Sequence, residues 1–257
     1  MAILILKLTL TPVLIGAASL ASRRWGAEVG GWLVGIPFTS GPIALFLALG
    51  PGVHFAAGAS VGILAGAVSQ AAFALAYAWM ALRFDWTLCV GAATAAFGVA
   101  TLVLDLAPGG AALTLVLAVS ALVIALAVMP RPAAKRSDRV DLPWWDIPAR
   151  MLVATVFVLA LTSAAPALGP RLSGLLSPFP VYAAVLCVFA HRLQGVAAAI
   201  GVMRGLLLGL FGFAAFFAVL AFLLEPDGIA VAFAIAIGAA LTVQGASLAA
   251  GRRLRMA

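Results

Sequence analysis

The sequence predicts an all-α polytopic membrane protein of about nine transmembrane helices, and three observations carry that expectation. Of 257 residues, 65% are apolar and only 9% charged, whereas soluble domains carry about 25% charged residues. The apolar residues fall into runs of about 20, the length that crosses a 30 Å hydrocarbon core. The few basic residues recur in every second interval between those runs. A net charge of +7 does not imply a nucleic-acid partner, because the basic residues are scattered among apolar stretches rather than gathered on one face.

Nine runs bounded by charge, Gly or Pro fall at about 2–22, 29–49, 54–82, 87–106, 110–129, 147–168, 173–190, 194–224 and 229–249. The third and eighth are long for a bilayer and call for tilt, a Gly kink or extension beyond the membrane. The first run, ending near Ala18-Ser19-Leu20-Ala21, could also be a cleaved signal peptide. No basic residue precedes its apolar stretch, and it has a counterpart later in the chain, so it is assigned as a mature span.

Basic loops are retained in the cytoplasm. Arg23 and Arg24, Arg83, the cluster Arg131, Lys135, Arg136 and Arg139, Arg192, and the terminal Arg252, Arg253 and Arg255 all fall on one side of a nine-span chain. The opposite side holds Asp105, Glu225 and Asp227 with Arg171. The expected location is the cytoplasmic (inner) membrane, with the N-terminus outside and the C-terminus in the cytoplasm. Trp25, Trp32, Trp79, Trp86, Trp144 and Trp145 all lie near the basic side, where amphipathic rings suit the headgroup layer.

The chain matches itself at an offset of 143. Six glycines coincide (Gly26/Gly169, Gly31/Gly174, Gly52/Gly195, Gly58/Gly201, Gly62/Gly205, Gly66/Gly209), where composition alone gives about 1.5. Pro37/Pro180 and Phe46/Phe189 coincide as well. Spans 1–4 then map onto spans 6–9, and five spans precede the second copy, so that copy enters the membrane from the other side. The predicted organisation is a first repeat over 1–106, a connector helix with a basic loop over 107–146, and a second, inverted repeat over 147–257.

Two prolines close together remove backbone donors and clash with the preceding turn. Span 2 carries Gly35-Ile36-Pro37-Phe38-Thr39-Ser40-Gly41-Pro42 and span 7 carries Ser177-Pro178-Phe179-Pro180-Val181-Tyr182. A discontinuous second helix is therefore expected in each repeat, broken at Pro37, Pro42, Pro178 and Pro180. Broken backbone at membrane depth is tolerated where protein or a cavity satisfies it, and paired breaks point to a transport site. Thr39, Ser40, Gly41 and Tyr182 are the candidate binding groups: the restarting half-helix near Gly41 offers amide donors, and the others offer hydroxyls. The bland alternative is a Pro kink whose Thr and Ser bond back to their own helix.

Arg204 lies about 15 Å into span 8 by helical rise. It is taken as a substrate ligand, because a guanidinium fork suits a carboxylate or phosphate; exposed carbonyls and a lipid phosphate are the other partners weighed. Lys7 and Arg150, near their span ends, are expected to snorkel to the headgroups. Glu28 and Asp105 are expected at the interface. Gly58, Gly62, Gly66 and Gly201, Gly205, Gly209 recur at four-residue spacing, which permits close helix packing. Cys89 and Cys187 read as buried free thiols.

No catalytic constellation, metal-ligand spacing or phosphate-binding loop is present, so neither an enzyme, a metal nor a cofactor is expected. In architecture alone the arrangement resembles the sodium/bile-acid symporters and sodium/proton antiporters, small transporters built as inverted five-helix repeats. It departs from them in the position of the breaks, the missing last span and the lack of intramembrane carboxylates. The resemblance implies transport and no particular substrate; with the helix breaks and Arg204 the expected function is a permease for a small anionic or polar organic solute, with coupling ion or exchange left open. The alternative is a non-transporting scaffold, lipid-binding or assembly subunit. The lipid bilayer is the expected partner in either case, and the sequence gives no oligomeric state.

Overall fold

The computed structural model describes residues 2–37, 40–106, 109–131, 143–156 and 178–256. It is 88% helix, with no strand among the described residues. In chain order the helices are α1 (Ala2–Trp25), α2 (Ala27–Val34), α3 (Ser40–Leu49), α4 (Val53–Met80), α5 (Trp86–Leu106) and α6 (Ala111–Val128). A helical stretch over 146–156, α7, precedes α8 (Val181–Gln194) and α9 (Val196–Met256).

Among the described residues, four helices have the length and apolarity to cross a membrane: α4, α5, α6 and Val196–Ser247 of α9. The number falls short of nine: α1, the first expected span, is not among the four, and the others differ for identifiable reasons. The second expected span is divided into α2 and α3, of 8 and 10 residues, each about 12–15 Å long and too short to cross alone. α8 has only 14 residues, and 157–177, which would complete spans 6 and 7, lie outside the described residues. Expected spans 8 and 9 form one long element, interrupted where Gly228 takes φ 75 and ψ 175 just after Pro226. That backbone turn makes α9 a hairpin: Gly212 of the first arm packs on Ala240 and Gln244 of the second, and Phe216 meets Phe233 edge-on.

The exposed surface requires a nonaqueous solvent. In α5 and α6, only 17% and 22% of the most apolar window is buried, and Val99, Leu102, Val103, Val116, Val123 and Ile124 all stand exposed. Apolar faces of that extent on a water-soluble monomer would drive association; in lipid they are the ordinary outer surface. The α4 window and the α9 window are 50% and 67% buried. These two helices are the axis of the bundle, and one core runs from Ala18 through Phe73 and Leu207 to Ala240.

Helix directions follow from side-chain pairs. His54 at the start of α4 bonds Glu225 at the end of the first α9 arm, and Tyr77 near the end of α4 bonds His191 just ahead of α9. α4 and that arm are therefore antiparallel. α1 and α7 are antiparallel as well, since Arg23 meets Asp146 while Ile15 packs with Ala154.

Candidate functional site

α2 ends at Val34 and α3 starts at Ser40, so the helix break lies where the two-proline segment was expected. Pro37 is non-helical. Pro42, by contrast, stands in the first turn of α3, where a missing N–H costs nothing, so it starts a helix rather than breaks one. Thr39 lies outside the described residues. The amide N–H of Gly41 donates to Pro37 O at 2.8 Å and is thus committed to the chain's own backbone instead of a ligand. Ser40 is half-buried at the head of α3.

In the second half, 178–180 are non-helical and α8 starts at Val181. Pro178 packs on α4: a Cβ built on Gly66 would lie 2.5 Å from the Pro178 Cβ. On the other side of the bundle, a Cβ on Gly35 would lie 2.6 Å from Cα of Gly209. The two contacts are related position by position, for adding 143 to Gly35 gives Pro178 and subtracting 143 from Gly209 gives Gly66. A second pair behaves alike. Thr101 donates to Ser69 at 2.8 Å in the first half, and Gln244 packs on Gly212 at the equivalent positions of the second. Gly52 and Gly195, also 143 apart, take φ 111 and φ 87 ahead of α4 and α9, a left-handed region open chiefly to glycine.

The first break is held by a polar clasp that composition did not reveal. Nε2 of Gln244 donates to Trp32 O at 3.0 Å, and the Trp32 indole donates back to Gln244 O at 3.2 Å. The Trp32 carbonyl, in the last turn of α2, thus accepts from Gln244 of the second α9 arm as well as from the N–H of Gly35 at 3.2 Å. Trp32 was expected in the headgroup layer; it sits half-buried at this crossing instead. The crossing is made by glycine: a Cβ on Gly31 would overlap Val202 O and one on Gly205 would overlap Glu28 O.

A cleft of about 70 Å³ opens beside the break. Leu14, Ala17 and Ala18 of α1 form one wall and Leu33, Val34 and Ile36 at the end of α2 another; Tyr182 closes it from the start of α8. The break of the first half and the helix start of the second therefore share a cavity, with Tyr182 the one polar side chain among its described lining residues. At about 10–15 Å³ for one water on this measure, it has room for several waters. Arg204 is not part of this lining.

Beneath the cleft, toward Arg23, lies a buried ionic network. Asp146, fully buried, accepts from Arg150 Nε at 2.8 Å and from Arg23 Nη2 at 3.0 Å. Arg23 also donates to Pro143 O, and the Arg150 guanidinium stands 5.2 Å over the Phe189 ring. Snorkelling was expected of Arg150; at 1% exposure it does not reach the headgroups, because a carboxylate one turn earlier and an aromatic face take its charge. The i, i+4 spacing of Asp146 and Arg150 was the available signal. Glu28 is buried at 9% and Asp105 is exposed. Cys89 and Cys187 are buried free thiols. No group of three His, Cys, Asp or Glu side chains is placed to hold a metal among the described residues.

Fold and site together define a helical protein with helices long and apolar enough to cross a membrane and a discontinuous helix facing a cleft. Comparison with protein-family models, curated proteins and solved structures gives no match.

Proposed function

We propose that the chain is a multi-pass permease of the cytoplasmic membrane that moves a small anionic or polar organic solute by alternating access. In this reading spans 1–4 and 6–9 form an inverted repeat over 1–106 and 147–257, joined by the connector at 107–146, with the N-terminus outside and the C-terminus in the cytoplasm. Antiparallel α4 and α9, antiparallel α1 and α7, and the interchanged contacts Gly35–Gly209 and Pro178–Gly66 support a two-fold relation between the halves. Gly66 and Gly209 each fall thirteen residues past the starts of their helices, Val53 and Val196. That is about 20 Å along the axis and near mid-bilayer.

The observation that carries the functional reading is the shared cleft between the end of α2 and Tyr182. A membrane protein has little reason to break a helix at mid-depth and face it into a cavity unless the freed backbone meets a ligand or water. Ser40 and Gly41 follow the first break and Tyr182 the second; Thr39 joins them as a candidate from the sequence alone. Within the proposed class, the apolar walls favour a small neutral polar solute over an anion, because no cationic side chain lines the cleft among the described residues. The small volume is also the observation that favours the competing reading, a scaffold in which breaks and glycines serve packing alone.

Uptake into reconstituted vesicles tests the choice, with a panel of short polyols, amino acids, monocarboxylates and phosphate as probes. Transport predicts uptake of at least one probe by the wild-type chain and its loss in Ala17→Trp, whose indole fills the cleft from its exposed wall. No uptake of any probe, or uptake indifferent to that substitution, overturns the reading.

A further inference from the structure

We infer that Arg204 and Arg131 together bind a phosphate group at the end of the bundle where α6 finishes and α9 begins. Nη2 of Arg204 is buried and has no hydrogen-bond partner among the described residues. The charge it senses is Arg131, a like charge three residues past the end of α6. A guanidinium with a buried, unsatisfied N–H costs several kcal/mol, and a second cation beside it adds repulsion. An anion placed between them removes both penalties.

The position on α9 points outward from the bundle. From 202 to 210 every residue but Arg204 is buried. One helical face continues from it through half-exposed Phe211 and Ala215 to Phe222, 48% exposed. Cα–Cβ bonds in a helix tilt toward its N-terminus, so the Arg204 side chain leans to the end that carries Arg131 and Arg192. A side chain reaching about 6 Å that way from a Cα about 12 Å below Val196 arrives near headgroup level. Paired arginines offer the planar, bidentate donors that phosphate oxygens accept. Two sources present that chemistry: the headgroup of an anionic phospholipid and a soluble phosphate compound. The inference requires a bilayer but no transport, so it stands or falls apart from the permease reading.

Native mass spectrometry of the purified full chain, followed by unfolding of lipid-stripped protein, separates the cases. The wild type is expected to carry a tightly held anionic phospholipid and to be stabilised by phosphatidylglycerol but not phosphatidylcholine. Loss of a charge-assisted contact in Arg204→Gln should cut that retention by about tenfold; Arg204→Lys should keep part of it, and Arg24→Gln, on an exposed arginine elsewhere, should keep all. If no lipid is held but inorganic phosphate stabilises the wild type and not Arg204→Gln at equal ionic strength, the site stands with a soluble ligand. If neither phosphatidylglycerol nor phosphate distinguishes a folded Arg204→Gln from the wild type, the inference is overturned.

Discussion

Replacing Gly209 by alanine perturbs the crossing of α2 and α9 at one atom. The added Cβ would stand 2.5 Å from Trp32 O and 2.8 Å from Cα of Gly35, against an ordinary carbon–carbon separation of about 3.5–4.0 Å. Both neighbours are backbone, so no side chain can swing aside and the helices must part by about 1 Å. Overpacking of this kind costs about 1–3 kcal/mol. Parting the helices also stretches the Gln244–Trp32 bonds of 3.0 and 3.2 Å, worth about 1 kcal/mol more. At about 2–4 °C per kcal/mol for a chain of this size, the midpoint of thermal unfolding in detergent should fall by about 5–10 °C. Gly91 of α5 supplies the control: nothing lies within 4 Å of a Cβ built there, and alanine should stabilise by about 0.5–1 kcal/mol through helix propensity. Once Gly209→Ala has separated the helices, adding Gly35→Ala should cost less than it does alone, since the two sites touch. An unchanged midpoint for Gly209→Ala, or an equal loss for Gly91→Ala, would refute the close crossing.

Three further outcomes follow from the polar contacts and the topology. Asp146→Asn leaves Arg150 and Arg23 without their counter-charge and should destabilise by about 3–5 kcal/mol, whereas replacing Asp146 and Arg150 together by leucine and methionine should recover much of it; a double-mutant cycle on unfolding reads the coupling. Gln244→Leu removes one of two donors to the Trp32 carbonyl, which Gly35 N–H also serves, and Trp32→Phe removes the indole donor to Gln244 O; each should cost about 0.5–1.5 kcal/mol on unfolding and the two should add, whereas no loss in either would show that the clasp does not exist. A reporter active only in the cytoplasm should give signal when inserted after Arg131 or Arg192 and none after Asp105 or Asp227; the reverse pattern would invert the orientation.

The parts of this structure written in local chemistry were legible before any coordinates. The break between Val34 and Ser40 follows from Gly35 and Pro37, the start of α8 from Pro180, and the turn at 228 from Pro226 and Gly228. The glycines at 201, 205 and 209 read as packing positions, and the last two do meet backbone across the crossing. What escaped was tertiary pairing. Nothing in the sequence joins Gln244 to Trp32, 212 residues apart, since one amide among apolar residues has no periodic signature. Arg150 looked like a snorkelling cation because depth was judged from span ends; the carboxylate at Asp146 and the ring of Phe189 make burial the better place for it. The role expected of Gly41 failed for a simpler reason: a helix restart offers free donors only where the preceding turn leaves them, and Pro37 O takes this one.

The central claim is that the cleft between α1, the end of α2 and Tyr182 opens in turn to the two sides of the membrane. Its most direct test places a single cysteine at Ile36 in a chain whose buried Cys89 and Cys187 are changed to alanine. A membrane-impermeant thiol reagent is then applied to right-side-out and to inside-out vesicles. Alternating access predicts labelling of Ile36→Cys from both sides, and protection from both by Ala17→Trp. Labelling from one side only, or from neither, would contradict the account.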